Sequence, residues 1–304
     1  MDDVLAALTE VDAAPVVVAA PGRGEGFWAG GPSAVREGDR TWLAYRLRRP
    51  VTAGRGYANV VAVSADGLNF ETVATVTSAQ FACASLERPA LVRRPDGGWR
   101  LYVSCSTPNS KHWWVEAIDA DTVADLPIGR RTVVLPGDAD VAWKDVVVRA
   151  GEAGWSMWAC RHPLDGGDDA ADRMTTWYAT STDGLDWQFH GPALTPVAGT
   201  WDERGTRIAD VVADGERWWA LYDGRRSAEE NWRERTGLAV GTGPESFTAV
   251  AGPLPERAGT ALRYASVVSV GGGMRVYIEA SAADGSHDLR AVNVPLPSAA
   301  SQSE

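Results

Sequence analysis

The sequence predicts an all-β fold, a five-bladed β-propeller with four antiparallel strands per blade. Three observations predict it: a strand–turn–strand pattern recurs five times, the copies are almost evenly spaced, and no helical period is sustained between them. The clearest copy is Gly205 to Arg225. Its apolar run Ile208 to Ala213 is stopped by Asp214-Gly215, a tight-turn signal, and the alternating aromatic strand Trp218 to Tyr222 follows. The same grammar opens at Gly31, Arg88, Lys144 and Tyr264. The last valine of each first strand sets a register of Val35, Val92, Val148, Val212 and Val268, with spacings of 57, 56, 64 and 56 residues.

Residues 1–20 read as a lead segment, and the first 14 of them are either a short helix or a frayed end. One propeller domain then spans 21–296, and the Ser/Ala/Gln/Glu tail 297–304 reads as disordered. After each opening hairpin a third and a fourth strand are expected. In the first unit these are Tyr57 to Ser64 and Asn69 to Val76, and in the third Thr175 to Ser181 and Asp186 to Gly191. Four antiparallel strands repeated radially hide their edges by packing sheet on sheet. The turns Ser64 to Phe70 and Ser181 to Trp187 share the form SxDGLx(F/W). Ser and Asp side chains there satisfy backbone donors, Gly takes a positive φ and the aromatic packs back, which is a structural role.

The chain has 304 residues, 45 % of them hydrophobic and 23 % charged, enough apolar material for one closed β domain. With 29 basic against 40 acidic residues, net −11 and no basic run, nucleic acid and anionic membranes are poor partners. Neither a basic, apolar leader nor an apolar run near ~18 residues is present, so a cytoplasmic protein is expected. Cys83, Cys105 and Cys160 are odd in number and lack CxxC spacing, as buried free thiols do. The four histidines show no HxxxH or HxH spacing, and no metal or other cofactor is expected. The oligomeric state is open.

The stretches GGPSAVREGDRTWLAYR, ERPALV and WDERGTRIADVV…YDGR, with the SxDGLxW turns, together resemble the five-bladed propeller glycoside hydrolases over about residues 25–295. That group includes arabinanases, β-xylosidases, invertase-like fructosidases and mannoside phosphorylases. The resemblance implies a funnel on the propeller axis, lined where the innermost strands begin, with acidic residues acting as base or nucleophile, acid and pKa modulator. Five positions before the register valines stand Gly30, Glu87, Trp143, Arg207 and Arg263, and four before stand Gly31, Arg88, Lys144, Ile208 and Tyr264. Many members carry an aspartate just before the proline of the first blade, where this chain has Gly30-Gly31-Pro32. Either the carboxylates have been redistributed, with Glu25 one source, or hydrolysis has been lost.

Glycosidic cleavage needs one carboxylic acid and one carboxylate, ~5 Å apart in retaining and ~6.5 to 9.5 Å apart in inverting enzymes. Glu87 and Asp145, at matching depth on neighbouring blades, form the best pair, with Asp145 as base or nucleophile and Glu87 as acid or modulator. Asp210 is the third catalytic candidate, or else a buried tie to Arg207 or Arg263. Substrate-binding candidates are Trp28, Trp113 and Trp143 as ring platforms, with Arg88, Lys144, Arg207, Arg263 and Tyr264 as polar partners. The expected partner is a small glycoside or oligosaccharide. A non-catalytic sugar- or protein-binding propeller stays open, as does a phosphorylase, lyase or transferase whose Arg and Lys hold an anion. The polar loop Ser227 to Gly237 reads either as a solvated face or as a substrate-gating or dimer-contacting loop.

Overall fold

The structure is a computed structural model that describes residues 2–151, 153–166, 173–215, 217–254 and 261–295. Its elements are short strands rich in Val, Trp and Tyr, broken by Gly, Asp and Pro turns. Three sheets are four-stranded antiparallel meanders. One holds Ala90–Arg93, Trp99–Ser106, Trp113–Ala120 and Arg130–Leu135; the next, Val141–Gly151, Gly154–Pro163, Thr175–Ser181 and Gln188–Leu194. The third holds Gly205–Asp214, Arg217–Arg225, Arg235–Gly243 and Ser246–Ala251.

The remaining eight strands form one sheet of two halves. Trp28–Glu37, Arg40–Arg48, Gly56–Ser64 and Glu71–Thr77 make one half; Leu262–Val270, Gly273–Ser281, His287–Pro295 and the early strand Val16–Val18 make the other. A single parallel pair, Trp28 with His287, joins them. Because Val16–Val18 lies antiparallel to His287–Pro295, the two ends of the chain share one sheet. Every register valine falls in its opening hairpin, paired with Trp42, Arg100, Met157, Trp219 and Arg275 in turn.

Buried apolar residues gather between successive four-strand sets. Leu91 and Leu101 meet Val61 and Val76; Val146 and Met157 meet Tyr102; Ile208 and Tyr222 meet Val147 and Trp158. Leu262 and Ile278 then meet Ala209 and Leu221, and Tyr277 and Leu289 meet Leu43 and Val60, which returns to the first set. Sheets stacked face to face in cyclic order are a β-propeller. The lead segment takes the helical alternative: Asp2–Thr9 is an α-helix that buries Val4 and Leu8. The tail 297–304 lies outside the described residues.

The SxDGLx(F/W) turns fold as expected and also latch neighbouring sheets. In the first, the backbone N–H groups of Leu68 and Asn69 donate to Asp66 Oδ1 (both 2.8 Å), and Gly67 sits at φ 71°. The Gly67 carbonyl accepts from the hydroxyl of Tyr277 (2.8 Å), whose ring meets Phe70 edge-on at 5.8 Å. The second turn repeats this. Tyr102 donates to the Gly184 carbonyl (2.7 Å) and meets Trp187 at 6.4 Å. Tyr102→Phe and Tyr277→Phe are each expected to cost about 1 kcal/mol, one buried hydrogen bond. Urea midpoints that do not move would show that the latches contribute nothing.

Candidate functional site

Four of the inner strands carry an irregularity at the same depth, between Gly30 and Ser33, Lys144 and Val147, Ile208 and Asp210, and Arg263 and Ser266. A regular strand sends successive side chains to opposite faces, whereas a bulge re-aims them. Asp145 (φ 53°) and Tyr264 (φ 52°) occupy the left-handed region at these points. As a result Lys144 and Asp145 join one charged cluster, as do Arg263 and Tyr264.

A cavity of about 280 Å³ opens on this cluster. Glu87, Trp113, Lys144, Arg207, Arg263 and Tyr264, expected from the sequence, line it. Asp145 lies against them with 0 % exposure: its Oδ2 accepts from Arg207 (3.2 Å) and the Tyr264 hydroxyl (3.2 Å), with Lys144 Nζ at 3.8 Å. Burial favours the neutral acid, but Lys144, Arg207 and Arg46 outweigh it and hold the carboxyl below its usual range. Its Oδ1 is buried and has no hydrogen-bond partner.

Arg207 also clamps Asp223 through Nε (3.1 Å) and Nη2 (2.8 Å), and the Tyr264 backbone N–H donates to the same carboxyl (3.1 Å). Burial nevertheless pushes Asp223 up to about 6. Two carboxyls bound to one guanidinium are thus driven in opposite directions.

The place left empty by Gly30-Gly31 is filled from the other half of the same sheet. Glu279, fully buried, accepts from the Gly31 N–H (3.0 Å), Arg46 Nη2 (3.3 Å), Arg263 Nε (2.9 Å) and His287 Nδ1–H (2.7 Å). Arg263, His287 and Arg46 together overcome burial and keep it ionised. A Cβ on Gly30 would meet Glu279 Oε2 at 1.6 Å. A carboxylate from another strand thus occupies the space beside Gly30, whereas Glu25, named from the sequence as one source, is exposed. Arg46 bridges Glu279 to Glu87.

Other sequence candidates have different surroundings. Asp210 is a buried tie between sheets: it accepts from Val267 N–H (2.7 Å) and Ser266 (3.2 Å) and pairs with Arg149, rather than with Arg207 or Arg263. Arg88 donates to the carbonyls of Pro32 (3.0 Å) and Ala265 (3.4 Å), holding inner strands together. Trp143 stacks on Phe189 at 4.4 Å, within its own sheet. Trp28 is 2 % exposed, stacked on His287 at 4.4 Å with Arg48 4.0 Å away, so no ring face is left for a sugar. Trp113 faces Lys144 Nζ at 4.8 Å.

Sequence reasoning passed over Arg46, Arg48, Arg55, Glu234 and Glu279. Glu234 and Trp232 come from the polar loop after Ser227 and line the cavity, so that loop is a wall of the site. Glu234 pairs with Arg225 (3.1 Å) and Arg263 (2.5 Å). Among the described residues, no group of three or more His, Cys, Asp or Glu is placed to hold a metal, and no helix is long and apolar enough to cross a membrane.

A propeller with a charged cavity where its inner strands begin is the class that fold and site define. Its fold is that of the β-propeller glycoside hydrolases and their relatives. It is similar to a thermostable family-43 glycoside hydrolase (TM-score 0.69, 12 % identity, 93 % of this chain and 94 % of that one). It is also similar to β-1,2-mannobiose phosphorylase from Listeria innocua in complex with β-1,2-mannobiose (0.62, 14 %, 89 % and 90 %). An exo-1,5-α-L-arabinanase from a bovine ruminal metagenomic library matches at 0.62 and 14 %, over 89 % and 94 %. No family model and no curated protein sequence matches the chain.

Proposed function

We propose that this chain is a glycosidase built on a five-bladed propeller, cleaving a small glycoside or oligosaccharide in the axial cavity by carboxylate acid–base chemistry. Counting each half of the eight-strand sheet as a blade gives five, in keeping with the cyclic order of the apolar clusters. Residues 21–296 then form one domain. Free cysteines suit a cytoplasmic setting, which we also propose.

The observation that carries the reading is a buried, ionised Asp145 with one unpartnered oxygen, held by residues of the cavity wall on which Glu87 also stands. An orphaned buried acceptor is costly, and a substrate hydroxyl or water donating to Oδ1 relieves that cost. Asp145 is therefore assigned as the base, Glu87 as acid or modulator, and Arg207, Arg263, Tyr264 and Lys144 as substrate-binding groups.

The test is release of reducing sugar from a panel of small glycosides by wild type, Glu87→Gln and Asp145→Asn. Each variant is expected to lose at least about 100-fold in kcat/KM, the usual contribution of a positioned acid or base. Wild-type rates in both folded variants would remove these assignments.

A further inference from the structure

Eight arginine and lysine side chains line the cavity, against five carboxylates among the described residues that line it or bind those cations. The excess of three positive charges sits inside a protein of net charge −11. Two of the cations show where the imbalance is concentrated. Arg48 is 2 % exposed and lines the cavity, pinned between the rings of Trp28 (4.0 Å) and Trp232 (4.9 Å). No hydrogen bond or ion pair joins its guanidinium to any described residue, and its Nε is buried without a partner. Arg55, on the same wall, also lacks a carboxylate among the described residues; its Nε is likewise orphaned and Trp113 lies 5.9 Å from the guanidinium.

We infer that Arg48 and Arg55 form an oxyanion subsite, so that the cavity takes a ligand bearing a carboxylate or phosphate group. This deepens the reading of the cavity as a sugar site and rests on it. A buried cation without a counter-ion is unfavourable, and a native chain keeps one where a ligand supplies the missing charge. Burial first, then the like charges of Arg46, Arg55 and Arg263, pulls the Arg48 guanidinium down to about 8. The carboxylate that acts on it, Glu279, is already held by four donors. A guanidinium held between two aromatic faces keeps its fork fixed, the geometry that suits a planar carboxylate or a phosphate. Since Trp232 belongs to the loop after Ser227, the anion site is completed by that loop.

Calorimetric titration with glucuronate, glucose 6-phosphate, inorganic phosphate and neutral glucose tests this on the full chain. At least one anion is expected to bind more tightly than glucose, and Arg48→Met to weaken it by about 10- to 100-fold, the worth of a charge-assisted hydrogen bond. Melting temperature in the absence of anion should hold or rise in that variant, because an unpaired buried charge has gone. Should Arg48→Met fail to fold, Arg55→Met on a separate segment reads the same loss. Preference for glucuronate or the sugar phosphate places the anion on the sugar, whereas binding of inorganic phosphate alone makes it a free oxyanion; either supports the subsite. Folded wild type that binds none of the three anions overturns it, as does an Arg48→Met protein with wild-type anion affinity. Cleavage of neutral glycosides without any anion binding would remove the subsite and leave the glycosidase reading standing. Anion binding without turnover of any glycoside would do the reverse.

Discussion

Gly30→Asp is expected to destabilise the protein by about 3 to 5 kcal/mol or more, the usual cost of breaking a buried ion pair. The reason is space alone. Gly30 is absent from the positive-φ residues, so an L side chain suits its backbone, unlike Gly31 at φ 59°. Its Cβ position, however, is 1.6 Å from Glu279 Oε2, and the carboxylate has to leave. Leaving breaks contacts to Gly31, Arg46, Arg263 and His287 together. Glu279→Ala alone is expected to cost a similar amount, since two buried guanidinium groups lose a shared counter-ion. Combined, the two changes put a carboxylate back on the first inner strand and free the space it needs. The double variant should therefore be more stable than the sum of the singles by at least about 1 kcal/mol, within the range of coupling between contacting residues. Urea unfolding of all four proteins measures the coupling. Simple additivity would show that the Glu279 carboxylate does not stand in for a first-strand one.

That exchange explains which half of the site was legible in the sequence. Inner-strand entries were found because the repeat gives them a register, which placed Glu87, Lys144, Arg207, Arg263 and Tyr264 on the cavity wall. Arg46 and Glu279, at second-strand exits, were not found, because each follows an apolar run and looks like a strand emerging into solvent. The signal was nevertheless available in the hairpin pairing. Gly30 stands opposite Arg46, Arg207 opposite Asp223 and Arg263 opposite Glu279. Extending the register across each turn would have brought out complementary charges at one depth, with Gly30 as the member lacking a side chain. Asp210 and Arg88 misled for a related reason: a buried charge in an apolar inner strand reads the same whether it faces the axis or ties two strands. Trp28 misled because periodicity cannot tell a ring face presented to a sugar from one presented to Arg48.

The resulting site is held by charge rather than by apolar packing, and this has a thermodynamic signature. Arg207→Met is expected to cost about 3 to 5 kcal/mol near neutral pH, because Asp145 and Asp223 lose the guanidinium they share. In wild type the two carboxyls respond to pH in opposite ways. Asp145 is depressed in the folded state, so its contribution is present above its ordinary carboxyl value and is lost as pH falls below it. Asp223 is raised to about 6, so stability on its account is greatest below about 4 and declines as pH rises through 6. Without Arg207 both carboxyls shift upward, so both take up protons more readily as pH falls. The deficit of the variant should accordingly be smaller at pH 5, where protons can replace the lost cation, than at pH 8, where they cannot. Arg207→Lys should recover only part of it, because an ammonium keeps the charge but not the fork that grips Asp223 through two nitrogens. Urea unfolding at the two pH values decides the matter. An equal deficit at pH 5 and pH 8 would mean that Arg207 stabilises the centre by packing under the Tyr264 ring, 3.8 Å away, and not by holding two carboxylates ionised.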